Sequence, residues 1–223
     1  MSQQILDPTP APAPRPIILQ GRTARLEKLE GARLDALYDA LHDETRDETW
    51  RYMFFGPFAN RAAFRAQWEA LAGADDPFFF AVLDATGQKL LGALALMRID
   101  RPNRVIEIGH VLFSPDLQRS IAATEAHYLV ARHVFEDLGY RRYEWKCDDR
   151  NLRSKNAALR LGFRAEGLFR QHMIVKGRNR DTAWFAMLDL DWPARRAALE
   201  AWLDPENFDG DGRQKRRLAD FQS

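Results

Sequence analysis

The chain predicts a mixed α/β domain, and three observations carry that reading. A strand-like run at residues 143–148 leads into a capped, glycine-terminated helix and then a second strand-like run at 164–169. Two further pairs of strand-like runs flank the turn sequences Thr86-Gly87 and Lys176-Gly177-Arg178-Asn179, which marks each pair as an antiparallel hairpin. Between them lie stretches with apolar residues at helical spacing, the stripe of helices that pack on a sheet.

Taken in order, residues 8–16 alternate proline with small residues, so residues 1–20 are expected to form an extended or flexible leader. Alternating polarity at 23–29 predicts a first strand, and Leu34, Leu37 and Leu41 mark an amphipathic helix over 31–42. An aromatic-rich loop follows at 50–58. Asn60 caps a second helix reaching about residue 71, which Gly73 ends. Strands at 78–83 and 90–99 form the first hairpin, and Asn103 turns the chain into a strand at 105–113. A long helix is expected at about 123–138, with Ala126, Leu129, Val130, Val134 and Leu138 inward and Gly139 closing it. After the strand at 143–148, Asn151 caps a helix whose inner face is Ser154, Ala157, Ala158 and Leu161, and Gly162 ends it. The last hairpin pairs 164–175 with 182–188. The divisions are therefore a leader at 1–20, one domain at 21–192, and a C-terminal helix with a basic tail at 193–223. That tail, with its basic patch at 213–217, is expected to be peripheral and partly mobile. No internal repeat occurs.

Composition narrows the class of protein. A hydrophobic content of 46% with 29% charged residues predicts a globular protein with a real core. No apolar run approaches the roughly 20 residues of a membrane helix, and the first residues lack a secretory layout. One cysteine, Cys147, excludes an intrachain disulfide and suits a reducing cytoplasm. A formal net charge of +1 gives no reason to expect a nucleic-acid partner, and nothing points to a membrane partner. A homodimer is allowed. The five histidines show no ligand spacing, so no metal is expected. Cys147 lacks any Cys–His–Asn signature and is expected as a buried strand residue. Arg141, Arg142 and Lys146 alternate with Tyr143 and Trp145, which is expected to be a solvated strand end and not an RNA platform.

The string Asn151-Leu-Arg-Ser154 ending in Leu161-Gly162-Phe163 resembles the acetyl-CoA-binding half of the GNAT superfamily of N-acetyltransferases, most closely its RimJ/RimL-type branch. The order of elements over about residues 23–191 matches that family's plan. The resemblance implies a mostly antiparallel central sheet with helices on both faces and a splayed parallel strand pair that holds acetyl-CoA as co-substrate. A second matching segment runs from Glu107 through Phe113 to Ala126, a strand passing through a short loop into a helix N-terminus. Unpaired amides and the positive dipole end make such a terminus a seat for a pyrophosphate. The family pattern there aligns with Gln118-Arg119-Ser120-Ile121-Ala122-Ala123, followed by Thr124, so that Ile121 replaces the first glycine. A β-branched residue resists the close approach and unusual dihedrals that glycine permits. A distorted cradle, a shifted cofactor or weaker binding is therefore expected, with Arg119 compensating through direct charge pairing.

The implied reaction is direct attack of a free amine on the thioester, with the acetyl group passing to a protein N-terminus or small amine. In the family a backbone N–H near Val111 or Leu112 steadies the developing oxyanion, and the strand through Phe113 borders the pantetheine. A serine at the Ser154 position is proposed there to protonate the departing thiolate; otherwise Ser154 is a small residue packing the helix. Glu107 and His110 are the candidate bases. Their i, i+3 spacing puts them on opposite strand faces unless a bulge intervenes. Glu107 is favoured, although an ion pair with a neighbouring arginine is its simpler reading, as a core imidazole is for His110. Trp50, Tyr52 and Phe54 fall where the family builds a wall of its acceptor site, or else they are core. Two other readings stand beside the enzyme. One is a GNAT-fold protein that binds CoA or a partner without catalysis, supported by Ile121. The other is a nucleic-acid or ribosome-associated module using residues 213–217, which the near-neutral charge opposes.

Overall fold

The computed structural model describes residues 8–42 and 46–222. Eight strands form one sheet in the order β1-β2-β3-β4-β5-β6-β8-β7. They are β1 Leu19–Gln20, β2 Ala24–Lys28, β3 Phe78–Asp84, β4 Leu90–Asp100, β5 Val105–Phe113, β6 Arg142–Asp148, β7 Arg164–Val175 and β8 Arg178–Leu188. Every neighbouring pair is antiparallel except β5–β6, which is parallel. The helices are α1 Leu34–Leu41, α2 Arg46–Trp50, α3 Arg61–Gly73, α4 Ile121–Arg132, α5 Leu152–Arg160 and α6 Trp192–Leu203.

The centre of the sheet is buried on both faces while the edge strand β7 is exposed, and β3 shows how the sequence achieves the burial. Its alternate residues Phe78, Phe80 and Val82 join one core, with Leu129 and Val130 of α4 and Leu199 of α6. Phe79, Ala81 and Leu83 join the other, with Leu34 and Leu37 of α1 and Phe64 and Trp68 of α3. A continuous apolar run is the expected signature of a strand covered on both sides. The two hairpins and the parallel pair are where the sequence and the family resemblance put them.

The differences are local. The second hairpin turns on Lys176 and Gly177 alone, with φ of +50° and +71°, and Val175 pairs Arg178. Two residues at positive φ give a tight turn whose twist suits the strands, so β8 starts earlier than expected. The helix expected from about 123 begins at Ile121, capped by the Ser120 side chain, which accepts from the Ala123 amide. It passes into a π-turn at His133–Asp137, and Gly139, at φ +65°, closes it. β1 and α2 carry too few residues to show a hydrophobic period.

The flexibility expected for residues 1–20 does not extend to residues 8–20. The Ala11 amide donates to the Arg101 carbonyl at 3.0 Å, and Arg101 Nε donates back to the Ala11 carbonyl at 2.7 Å. Arg104 donates to the Thr9 carbonyl and Tyr140 to that of Pro12. Prolines cannot supply these donors, so arginine and tyrosine side chains fix the extended segment instead. Residues 1–7 lie outside the described residues. The tail expected to be mobile is likewise folded: Asn207 bridges the carbonyls of Trp202 and Arg216, and Leu218 is buried.

A buried carboxylate ties the first strands to α4. Glu125 accepts from the amides of Arg22, Thr23 and Ala24 and from the Thr23 hydroxyl, at 2.5–2.8 Å. A side chain at Gly21 would lie 2.5 Å from this carboxyl group, so glycine there is a matter of close approach.

Candidate functional site

The parallel pair β5–β6 parts halfway along. Its register runs from Val105↔Arg142 to Ile108↔Trp145 and stops. Beyond it β5 stays with β4 through Phe113↔Gly92, while β6 stays with β8 through Asp148↔Thr182. The edge of β5 from Gly109 through Val111, Leu112 and Phe113 therefore faces a cleft with no strand partner. Backbone groups on such an edge need a partner from outside the sheet.

A bulge opens this cleft. Between Ala93↔Leu112 and Ala95↔Gly109, β5 holds one residue more than β4, and His110 takes φ +47°. A left-handed histidine is an uncommon, strained conformation, found where surrounding structure enforces it. The extra residue restores Glu107 and His110 to one face, the condition that their spacing demanded. His110 stacks on Phe55 at 5.6 Å and lies 5.4 Å from Phe79, whose core also holds Leu112. On that face Glu107 Oε1 is 3.7 Å from where a side chain on Gly109 would begin. That side chain would also lie 2.5 Å from Met97 Sδ, so any residue but glycine there would require Met97 to move.

Glu107 is 4% exposed and forms the ion pair expected of its simpler reading, with two cations. Arg98 Nη1 and Lys146 Nζ donate to Oε2 at 3.0 and 2.8 Å. No protein donor reaches Oε1 among the described residues. Lys146 also pairs with Glu144 at 2.7 Å and lies 4.0 Å over the Trp184 ring. Burial pushes the Glu144 carboxyl up, but hydrogen bonds from Lys146 and Arg142 outweigh it and hold the group below its usual range. The expectation of a solvated strand end in β6 is thus overturned: Tyr143, Trp145 and the Lys146 side chain are buried, with the cation neutralised inside the sheet. His110 is pushed down to about 4, by burial first and by nearby Arg98 second. It is neutral at physiological pH and a weak base.

At the α4 terminus the expected strain sits elsewhere. Arg119 takes the left-handed conformation, at φ +60°, while Ile121 is the first residue of a regular helix. Gln118 Nε2 donates to the Phe113 carbonyl at 2.8 Å, which ties the loop to the end of β5. The Ser120 cap takes the Ala123 amide, and the first-turn amides of Ile121 and Ala122 have no intrahelical acceptor. Thr124 accepts from Arg160 through its hydroxyl at 3.0 Å. The isoleucine side chain packs against the core. Ile121→Gly should therefore leave CoA affinity unchanged or weaken it a few-fold, since glycine costs a helix ~1 kcal/mol. Calorimetric titration of the variant with CoA checks this; tighter binding would mean that the side chain crowds the phosphates.

Ser154 is the third helical residue of α5, and the Asn151 side chain accepts from its amide at 3.1 Å. Its Oγ accepts from Trp145 Nε1 at 2.9 Å, and its proton, the hydroxyl's one donor, hydrogen-bonds the Cys147 sulfur in this state. Cys147 beside it is buried, and burial pushes its thiol up, as suits an inert strand cysteine.

The aromatic segment divides in two. The Trp50 side chain is wholly buried among Phe55, Phe58 and Phe64, and its carbonyl accepts from Lys176. Tyr52 and Arg51 instead line a cavity of about 310 Å³ with Asp148, Arg150, Arg178 and Arg180. Phe54 sits 6.0 Å from His110 on one side and 5.0 Å from the Arg180 guanidinium on the other. Sequence reasoning does not single out Arg98 or Arg180, and it reads Lys146 as solvated. Arginines and lysines abound in this chain, and only the strand register shows which of them turn inward.

A sheet that splays at a bulge, beside a helix N-terminus with open amides, describes a cleft suited to an extended cofactor with an anionic end. Residues 25–164 match the model of the acetyltransferase (GNAT) domain, and the chain belongs to that family. Its fold is similar to that of a GCN5-related N-acetyltransferase from Brucella melitensis, at 50% identity and a TM-score of 0.94, covering 96% of this chain and 97% of that one. A GNAT-family structure from Chromobacterium violaceum, titled a probable acetyltransferase, is 37% identical with a TM-score of 0.82, over 87% of this chain and 98% of that one. The Bacillus subtilis protein named Probable N-acetyltransferase YjcK is 30% identical over 118 residues, which are 52% of this chain and 65% of that relative, just under two thirds of its length. Among the described residues no helix is long and apolar enough to cross a membrane, and no group of three or more potential ligands could hold a metal ion.

Proposed function

We propose that the protein is an acetyl-CoA-dependent N-acetyltransferase of the RimJ/RimL-like kind, acting on a primary amine of a protein N-terminus or small molecule. The observation that carries this is the parting of β5 from β6 just past Glu107, whose open oxygen lies on the face to which the bulge in β5 returns His110. Bound acetyl-CoA would supply the activated acetyl thioester. The amides of Ile121 and Ala122, with Arg119, receive its phosphates, and the free edge of β5 aligns the pantetheine. An amide near Val111 or Leu112 donates to the carbonyl oxygen as it gains charge. Glu107 Oε1 takes the amine proton, directly or through water, while Arg98 and Lys146 hold the carboxylate in place through Oε2. The neutral, aromatic-stacked His110 shapes the wall and leaves the proton transfer to Glu107.

Ser154 gives its proton to the departing thiolate. Ser154→Ala should slow transfer while leaving acetyl-CoA affinity within a few-fold, because one neutral hydrogen bond contributes only about 1 kcal/mol. Single-turnover rates and a binding isotherm on the same variant check both halves. The reading itself is tested by incubating the protein with acetyl-CoA and a panel of primary amines and peptides. Amine-dependent release of free thiol, matched by acetylated product in mass spectrometry, is expected. Tight CoA binding with no transfer to any amine would favour a CoA-binding protein without catalysis. That alternative drew its support from Ile121, and the regular helix at this residue weakens it.

A further inference from the structure

Arg180 is 7% exposed, yet no hydrogen bond or ion pair to its guanidinium occurs among the described residues. Its Nε is fully buried without a hydrogen-bond partner, the Phe54 ring lies 5.0 Å from the guanidinium, and Asp148 and Glu107 act on it only through space. The adjacent carboxylate is already used: Asp148 accepts from Arg150 through both oxygens, at 2.9 and 3.1 Å on Oδ1 and 2.9 Å on Oδ2. A buried, unpaired guanidinium is costly, and arginine's planar fork matches a carboxylate or phosphate. This group lines the cavity beside Tyr52, on the aromatic-loop side of the sheet. The helix α4, whose terminus suits the cofactor phosphates, packs on the opposite face, so those phosphates do not account for Arg180.

We propose that Arg180 is the docking cation for an anionic group on the amine acceptor, so that the acceptor is an amine carrying a carboxylate or phosphate. This rests on the N-acetyltransferase reading for the identity of the ligand as acceptor, and on the structure alone for the anion site. The rest of the cavity agrees with it. Arg51, Arg150, Lys176 and Arg178 line the same space against the single, already paired Asp148, so an approaching anion meets a positive field. The Phe54 ring keeps one face of the guanidinium dry and leaves its edge for in-plane hydrogen bonds.

The test separates binding from turnover. Binding is measured by calorimetry with product mimics: the N-acetyl derivatives of glycine, β-alanine and 4-aminobutyrate, their neutral amides, and N-acetylated phosphoethanolamine. Transfer rates are measured with the corresponding free amines. At least one anionic probe is expected to bind ten-fold or more tightly than its neutral counterpart. Arg180→Met should erase that difference, and Arg180→Lys should retain part of it. Ligand-free Arg180→Met should melt at the same temperature or higher, because the buried charge it removes makes no hydrogen bond or ion pair among the described residues, and Met can still pack on Phe54. Equal binding of acids, phosphate and amides to the unaltered protein would overturn the proposal, as would a preference that survives Arg180→Met. A lower melting temperature for the ligand-free variant would also overturn it, by showing that the fold already satisfies the guanidinium. Arg180-dependent anion binding without acetyl transfer to any amine would instead sink the enzymatic reading and leave the anion site standing.

Discussion

Glu107→Gln is expected to lower kcat/KM for amine acetylation by roughly 100- to 10,000-fold near neutral pH, the usual loss on removing a general base. The amide keeps the shape and can still accept from Arg98 or Lys146, so the variant should fold. It cannot take a proton. The deficit should be largest at low pH, where an unassisted amine is almost wholly protonated, and smaller at pH 9, where free amine is supplied by solution. His110 does not mimic this behaviour, because a group held down to about 4 is already neutral across the neutral-to-alkaline range where the free amine is supplied. Backbone hydrogen bonds and alignment of the reactants survive the substitution, so activity should fall without vanishing. The pH–rate profile on the best acceptor is the check. A profile parallel to that of the unaltered enzyme, with less than a three-fold drop, would remove Glu107 from proton transfer and leave it as the anchor of Lys146 and Arg98.

Glu125→Ala should cost the fold about 3–5 kcal/mol, the range for removing one partner of a buried, charge-assisted cluster. Three backbone amides and the Thr23 hydroxyl lose their acceptor at once, and the carboxylate that joins β2 to α4 is gone. Because α4 also presents the candidate phosphate seat, weaker CoA binding should accompany the loss of stability. Urea unfolding followed by tryptophan fluorescence measures the first and calorimetry the second. A change under 1 kcal/mol would mean that water replaces the carboxylate without strain.

What the sequence reveals here is whatever depends on near neighbours. The Asn151 cap, the Gly162 terminus and the hairpin at Thr86-Gly87 are local choices of a residue type for a conformation, and each stands where the residues predict it. The bulge at His110 has no such signature, since the left-handed position is filled by a histidine and enforced by the strands around it. The same holds at Arg119, which takes the conformation expected to trouble Ile121. The pairing of Glu107 with Lys146 depends on parallel strands brought together across a helix, and composition alone makes Lys146 look solvated. Arg180 is harder still. Its distinction is the absence of a partner, a property of the whole fold, and no spacing along the chain can express it.

The central claim is that the cleft between the parted strands β5 and β6 receives acetyl-CoA, with the first turn of α4 holding its phosphates. Amide hydrogen exchange with and without saturating acetyl-CoA tests it most directly. Slowed exchange is expected at residues 111–113 and 119–124, with the hairpin between β7 and β8 unchanged. A ligand at ~100-fold its dissociation constant should also add about 2.7 kcal/mol of stability. Saturating acetyl-CoA that left both segments exchanging at their free rates, or protected a different surface, would contradict the account.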